Sequence, residues 1–375
     1  MKSSFRLTRI AGIDIGIHYT WILIFVLLTW SLARAFFPQM YPGWGTVTYW
    51  ITGVVAALLL FGSVLLHELA HCLVARARGM SVHSITLFLL GGVSNLEDEP
   101  EKPRIELAVS IVGPLTSLAL AGICWGLLQL AGDQQGPVAG MLAYLALINA
   151  ILAAFNLLPG FPLDGGRVLR SILWEKTGSL VKATNIAATV GRFMGWGIIA
   201  FGLFQVFAGN LGGLWLAFIG WFLSSSADAS RRELVMRQQL SGVRVRDVMA
   251  ANPTTISPDT TVSGLVSNVL RRQISRAVPV CQNEKVLGIA TVTDVKELPP
   301  EKWADTPVSA IMTRDPLYRV RPEDDLNTVM KLITKHDVNQ VLVMDDNKCA
   351  GIVNRADILN YLHLSEELGL KRKGG

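Results

Sequence analysis

Charge is scarce in this chain, and the scarcity is local. Only 17% of the 375 residues are Asp, Glu, Lys or Arg, and the mean hydropathy is +0.40. Residues 1–230 hold 13 Lys/Arg and 11 Asp/Glu, whereas residues 231–375 hold 21 and 18. The first part is too apolar for an ordinary soluble domain, and the second has a soluble domain's charge density. Cysteine is scarce as well. The four cysteines follow no framework spacing, which excludes a disulfide scaffold and points to free thiols in a reducing compartment. The biases of disordered and collagenous chains are missing. The net charge of +5 requires no nucleic-acid partner, because membrane proteins collect Lys and Arg on their cytoplasmic side.

What is present instead is a series of long apolar runs. Six stretches approach the roughly 20 residues that cross a bilayer: about 17–36, 49–75, 106–131, 138–158, 189–208 and 211–227. The first has no small-residue cleavage site after it and is not a signal peptide. Arg6 and Arg9, then Arg76, Arg78, Lys102 and Arg104, then Arg167 to Arg192, then Arg231 and Arg232 flank the spans on one side, against Arg34 on the other. Both termini and the soluble part are therefore expected in the cytoplasm. Residues 82–90 mix β-branched and apolar side chains before Gly91-Gly92, which reads as an extended hairpin dipping into the membrane. Such backbone is tolerated there only under a cover of protein or in a wet cavity.

The second span contains His67-Glu68-Leu69-Ala70-His71. Residues i and i+4 share a helix face, so both imidazoles reach one ion and Glu68 lies beside it. Two histidines, a carboxylate and an open position make a hydrolytic zinc site. Three ionisable residues in one turn of a spanning helix each demand a partner. The fourth span ends in Asn156-Leu157-Leu158-Pro159-Gly160-Phe161-Pro162-Leu163-Asp164-Gly165-Gly166-Arg167, where two prolines interrupt the helix. Depth along the chain favours Asp164 as third ligand; capping the next helix is its alternative role.

These two motifs and the six-span layout resemble the site-2 protease family of intramembrane zinc metalloproteases, over about residues 1–230. The resemblance implies zinc ligands His67, His71 and Asp164, Glu68 as catalytic acid/base, and Asn156 as a group that binds the substrate backbone or the oxyanion. It also implies transmembrane protein substrates. Gly113-Pro114 resembles a family Gly-Pro segment, although Thr116-Ser117 stands where an asparagine is common. His18 resembles a histidine found at the start of the first span and reads as an interfacial polar residue.

Residues 244–298 and 308–362 repeat one another at an offset of 63: Met249 with Met312, Pro253 with Pro316, Gly288 with Gly351, Asp294 with Asp357. They follow a helical linker at 231–243, and a basic tail at 363–375 ends the chain. The repeats resemble a tandem pair of CBS domains. That resemblance implies an adenosine nucleotide (ATP, ADP or AMP) at Thr291, Asp294 and Asp357, and a homodimer through the pair. Gly288 to Asp294 matches the family's nucleotide segment in full, whereas Asn354 replaces the hydroxyl residue in the second copy. Capping of the following helices is the alternative role of both aspartates. The expected architecture is an α-helical polytopic membrane domain of about six spans with a short extended segment, followed by an α/β CBS pair. The rival reading is a CBS-regulated transporter or channel whose intramembrane His and acidic residues form an ion path.

Overall fold

The computed structural model describes residues 4–88, 91–96, 100–270, 276–283, 285–346 and 348–368. The charged stretch Lys371-Arg372-Lys373 of the expected tail lies outside the described residues. The chain divides into two units, Met1–Arg232 and Glu233–Gly375.

The first unit starts with strands that the sequence reading did not anticipate. β1 (Ser4–Ile10) and β2 (Ile13–His18) form a hairpin closed by Ala11 and Gly12, both left-handed at φ 48° and 76°. Positive φ at both central residues matches the twist of a tight hairpin. β2 pairs in parallel with β3 (Val82–Phe88), which pairs antiparallel with β4 (Gly91–Leu96). The sheet order is β1-β2-β3-β4. The expected hairpin at 82–90 is instead a single strand over 82–88, one of the two inner strands of a four-stranded sheet, and its hairpin partner is the outer strand β4; residues 89–90 lie outside the described residues.

Among the described residues seven helices begin in this unit: α1 (Thr20–Met40, with a π-turn at Leu32–Phe36), α2 (Thr46–Ala77), α3 (Pro103–Leu130), α4 (Pro137–Asn156), α5 (Asp164–Thr177), α6 (Leu180–Phe207) and α7 (Gly213–Leu240), which runs on past Arg232. Among the described residues, five are long and apolar enough to cross a membrane: α1, α2, α3, α4 and α6. The sixth expected span, 211–227, is the start of α7. It falls short because its apolar run gives way to Ser224-Ser225-Ser226 and Asp228, and the helix continues to Leu240. Leu23, Trp30, Leu118, Phe193 and Phe204 stand exposed on the spanning helices, as a lipid-facing surface requires. The faces turned inward use small residues: Ala56, Ala57 and Ala75 on α2 are fully buried, and Gly195 and Gly202 of α6 lie against Gly220 and Gly213 of α7.

α5 sits beneath the break after α4. A Cβ on Gly165 would strike the backbone of Leu157 and Leu158, and one on Gly166 would strike Gly160 and Phe161. The two glycines let the helix start directly against the loop that feeds it. Gly178, at φ 66°, ends the helix in the left-handed conformation.

In the second unit β5 (Ala250–Ala251), β10 (Lys348–Asn354), β9 (Gln340–Asp345) and β8 (Arg319–Val320) form one sheet in that order. β6 (Ala277–Gln282) and β7 (Lys285–Thr291) form the other. The repeats exchange their leading segments. β5 lies near the start of the first repeat but pairs with β10 of the second, and Thr313 lies near the start of the second but bridges to Ile289 of the first. Each exchange seats a methionine on a glycine. A Cβ on Gly351 would lie 2.6 Å from the Met249 sulfur, and one on Gly288 would lie 2.9 Å from that of Met312. Leu240 and Val243, at the end of the expected linker, are buried in the core of this unit with Val245, Leu326 and Ile333.

Candidate metal centre and catalytic site

α2 presents His67 and His71 one turn apart, with ring centres 4.9 Å apart. Both Nε2 atoms point at one oxygen of Asp164, His67 at 3.1 Å and His71 at 3.2 Å from Oδ2. One ligand atom from each of the three residues falls within 4.8 Å of the others. Both imidazoles are buried and Asp164 is 16% exposed. Asp164 is the first residue of α5, and its carboxylate is turned to the histidines; Leu163 occupies the cap position with no side-chain bond.

The far nitrogens of both rings are already engaged. His71 Nδ1 lies 2.6 Å from the Val109 carbonyl, and His67 Nδ1 lies 2.9 Å from Ser117 Oγ. A carbonyl can only accept, so His71 Nδ1 carries a hydrogen, and the neutral form of the ring has its Nε2 lone pair turned toward Asp164, as a metal ligand requires. Ligand atoms on one tetrahedral zinc stand about 3.3 Å apart at ordinary bond lengths, close to the distances found here. The donor set fits zinc.

α3 brings Gly113 up against this space. A Cβ on Gly113 would lie 2.7 Å from His67 Nε2 and nearer still to His71 Nε2. Glu68 is half-buried on the adjoining face, and β4 passes over it: a Cβ on Gly92 would lie 3.2 Å from Glu68 Oε1. Asn156 is the last residue of α4, and its amide donates to Leu152 O at 3.0 Å. His18 lies at the junction of β2 and α1, with Nδ1 2.9 Å from Thr20 Oγ1, and is not in the cluster.

The sequence profile of Peptidase family M50 matches residues 55–135 and 131–198, and that of the CBS domain matches 245–301 and 308–364. Rip3 of Mycobacterium tuberculosis is 36% identical over 370 residues, which cover 96% of this chain and 93% of that one. MJ0392 of Methanocaldococcus jannaschii, named a zinc metalloprotease, is 30% identical over 373 residues, covering 98% and 99%. The chain belongs to peptidase family M50, the site-2 proteases. A solved site-2 protease from Methanocaldococcus jannaschii, 33% identical, spans 61% of this chain and 95% of its own, with a TM-score of 0.44. The chain is thus a membrane-embedded zinc metalloprotease with a C-terminal CBS pair.

In the second unit of this M50 protease, the residues expected to touch a nucleotide are engaged in helix caps. Asp294 Oδ2 accepts from Thr291 N at 2.7 Å and from Thr291 Oγ1 at 2.8 Å, opening α8 (Val292–Lys296). Asp357 Oδ2 accepts from Asn354 N at 2.8 Å and from its amide at 3.1 Å, opening α9 (Arg355–Glu367). Each is a reciprocal capping box. Between the repeats, burial pushes the Cys349 thiol up to about 11, helped by the charge of Cys281 nearby, and burial raises Cys281 as well. None of the four cysteines is in a disulfide.

Proposed function

We propose that this protease cuts transmembrane helices of other membrane proteins, with zinc held by His67, His71 and Asp164 and with Glu68 as general acid/base. The observation that carries the reading is the convergence of two Nε2 atoms and one carboxylate oxygen at a single buried point, with Glu68 next in the chain. Gathering at one point is what hydrolysis needs, whereas an ion path needs groups spread along it. Bound there, zinc supplies a water of near-neutral pKa and polarises the scissile carbonyl. Glu68 accepts the proton of the attacking water and hands it to the departing amine. Val109 and Ser117 hold the two imidazoles in the orientation that frees both Nε2 atoms. Asn156 is one residue from the loop that leads to Asp164; its amide would serve the oxyanion after leaving Leu152 O.

A substrate helix hides its amides in its own hydrogen bonds, so cutting it requires unwinding. An unwound segment pairs most simply with a sheet edge. β3 is flanked on both sides, so that role passes to β4, the outer strand whose backbone touches Glu68. The Lys/Arg asymmetry supports a cytoplasmic side for both termini and the CBS pair. There an adenosine nucleotide at Thr291 and Asp294 would regulate cleavage by binding two states of the protease unequally.

The test uses the purified full chain and a panel of single-span membrane substrates. Glu68→Gln should keep zinc and lose cleavage by a factor of about 100 or more. Near wild-type cleavage by that variant removes Glu68 from the mechanism.

A further inference from the structure

The chemistry just described leaves one buried ion pair unused. Glu106 of α3 is 1% exposed, and Arg170 of α5 is 8% exposed. Arg170 Nε donates to Glu106 Oε1 at 2.6 Å, and Nη2 reaches the same oxygen. The guanidinium also stands over the Phe161 ring, 5.1 Å from its centre. Burying two charges carries a desolvation cost that two apolar side chains would avoid. The location of the pair supplies a reason for it.

Glu106 lies three residues before Val109, whose carbonyl fixes His71, on the helix that also carries Gly113 and Ser117. Arg170 lies six residues after Asp164, about 9 Å along α5. Phe161 lies three residues before Asp164, in the proline-interrupted loop. One guanidinium therefore grips the segment before the aspartate and the helix after it, and fastens both to the helix that orients the histidines. A second ion pair joins the same two helices, Arg104 to Glu175 at 3.0 Å, but its side chains are 83% and 48% exposed. Exposed pairs of that kind hold little.

We propose that the Glu106–Arg170 pair is a positioning element that sets Asp164 against His67 and His71. The inference rests on the reading of those three residues as zinc ligands.

The experiment measures zinc affinity of the full-length protein by competition with a chelator, alongside thermal unfolding and substrate kinetics. The double variant Glu106→Leu/Arg170→Met removes the pair without stranding a charge, so the fold should survive. Zinc affinity should fall about tenfold or more, as when other groups that orient metal ligands are removed, and kcat should fall with little change in KM. Arg170→Lys keeps the charge and loses both the planar fork and the stack on Phe161. It should weaken zinc binding by a smaller factor at an unchanged unfolding temperature. Arg104→Gln, on the exposed pair, should leave zinc affinity as it was. Wild-type zinc affinity in both the double variant and Arg170→Lys overturns the proposal. Should the double variant not fold, Arg170→Lys decides alone. Wild-type protein that binds no zinc, or zinc that survives His67→Ala, overturns the ligand reading beneath the proposal and is recognisable as such.

Discussion

Alanine at position 113 would put one methyl carbon where the two histidines meet. The Cβ of Gly113→Ala would lie 2.7 Å from His67 Nε2 and closer still to His71 Nε2. Carbon and nitrogen ordinarily keep at least about 3.4 Å between them, beyond which dispersion is favourable. Either α3 retreats by more than an ångström or both imidazoles turn away from Asp164. Retreat also drags Val109 and Ser117, which hold the same rings from behind. A displacement of about 1 Å at a catalytic centre costs about 100-fold in rate, equivalent to about 2.7 kcal/mol. Zinc affinity should fall by about 10- to 100-fold with it. Chelator competition and cleavage of a single-span substrate give the two numbers. Gly122→Ala supplies the control on the same helix, since a Cβ there meets nothing within 4 Å; zinc and rate should be unchanged. A Gly113→Ala protein that binds zinc and cleaves like wild type would refute the placement of α3 against the histidines.

Three more outcomes can be checked directly. His67→Ala and Asp164→Ala should each lose bound zinc by metal analysis, and full retention in both would dismiss the ligand set. Cys349 should alkylate slowly at pH 7.5, because its raised pKa keeps it protonated; the rate should climb about tenfold per pH unit toward pH 11, following the thiolate fraction. Fast labelling near neutral pH in the folded protein contradicts that burial. Asp294→Ala should cost the second unit about 1 kcal/mol as a lost helix cap, read by thermal unfolding. It should also abolish binding of AMP, ADP or ATP in calorimetric titration; binding at wild-type strength would detach the nucleotide from this residue.

The meeting of His67 and His71 was the most legible part of the candidate site, because spacing within one helix turn leaves few geometries for His67, Glu68 and His71. Asp164 was legible through the prolines, which fix where a helix must stop. Gly113 was noticed as half of a Gly-Pro pair, but a glycine says nothing about which neighbour fills the space above it. Ser117 looked like a departure from a family pattern, yet its hydroxyl holds His67. β1 and β2 were hidden because Phe5 to Ile10 alternates too briefly, and because parallel pairing with β3 depends on a partner far along the chain. The sixth span misled because apolar residues from Leu214 to Leu223 are the start of a longer helix that turns polar. In the second unit the offset of 63 revealed the repeat, and its physical origin is the exchange that seats Met249 on Gly351 and Met312 on Gly288.

The parallel pairing of β2 with β3 bears on how the nascent chain is threaded. Asp14 aligns with Ser84 and Ile17 with Leu87, while α1 and α2 both lie between them in the chain. In the chain β3 follows both helices, and the β1–β2 hairpin precedes them. Its partner arrives on the same side of the bilayer only after an even number of crossings. A chain in which α2 fails to insert leaves β3 on the wrong side, so neither the sheet nor the strand that covers Glu68 can form. The sheet, and with it the strand over Glu68, is therefore compatible only with a chain whose first two spans both cross.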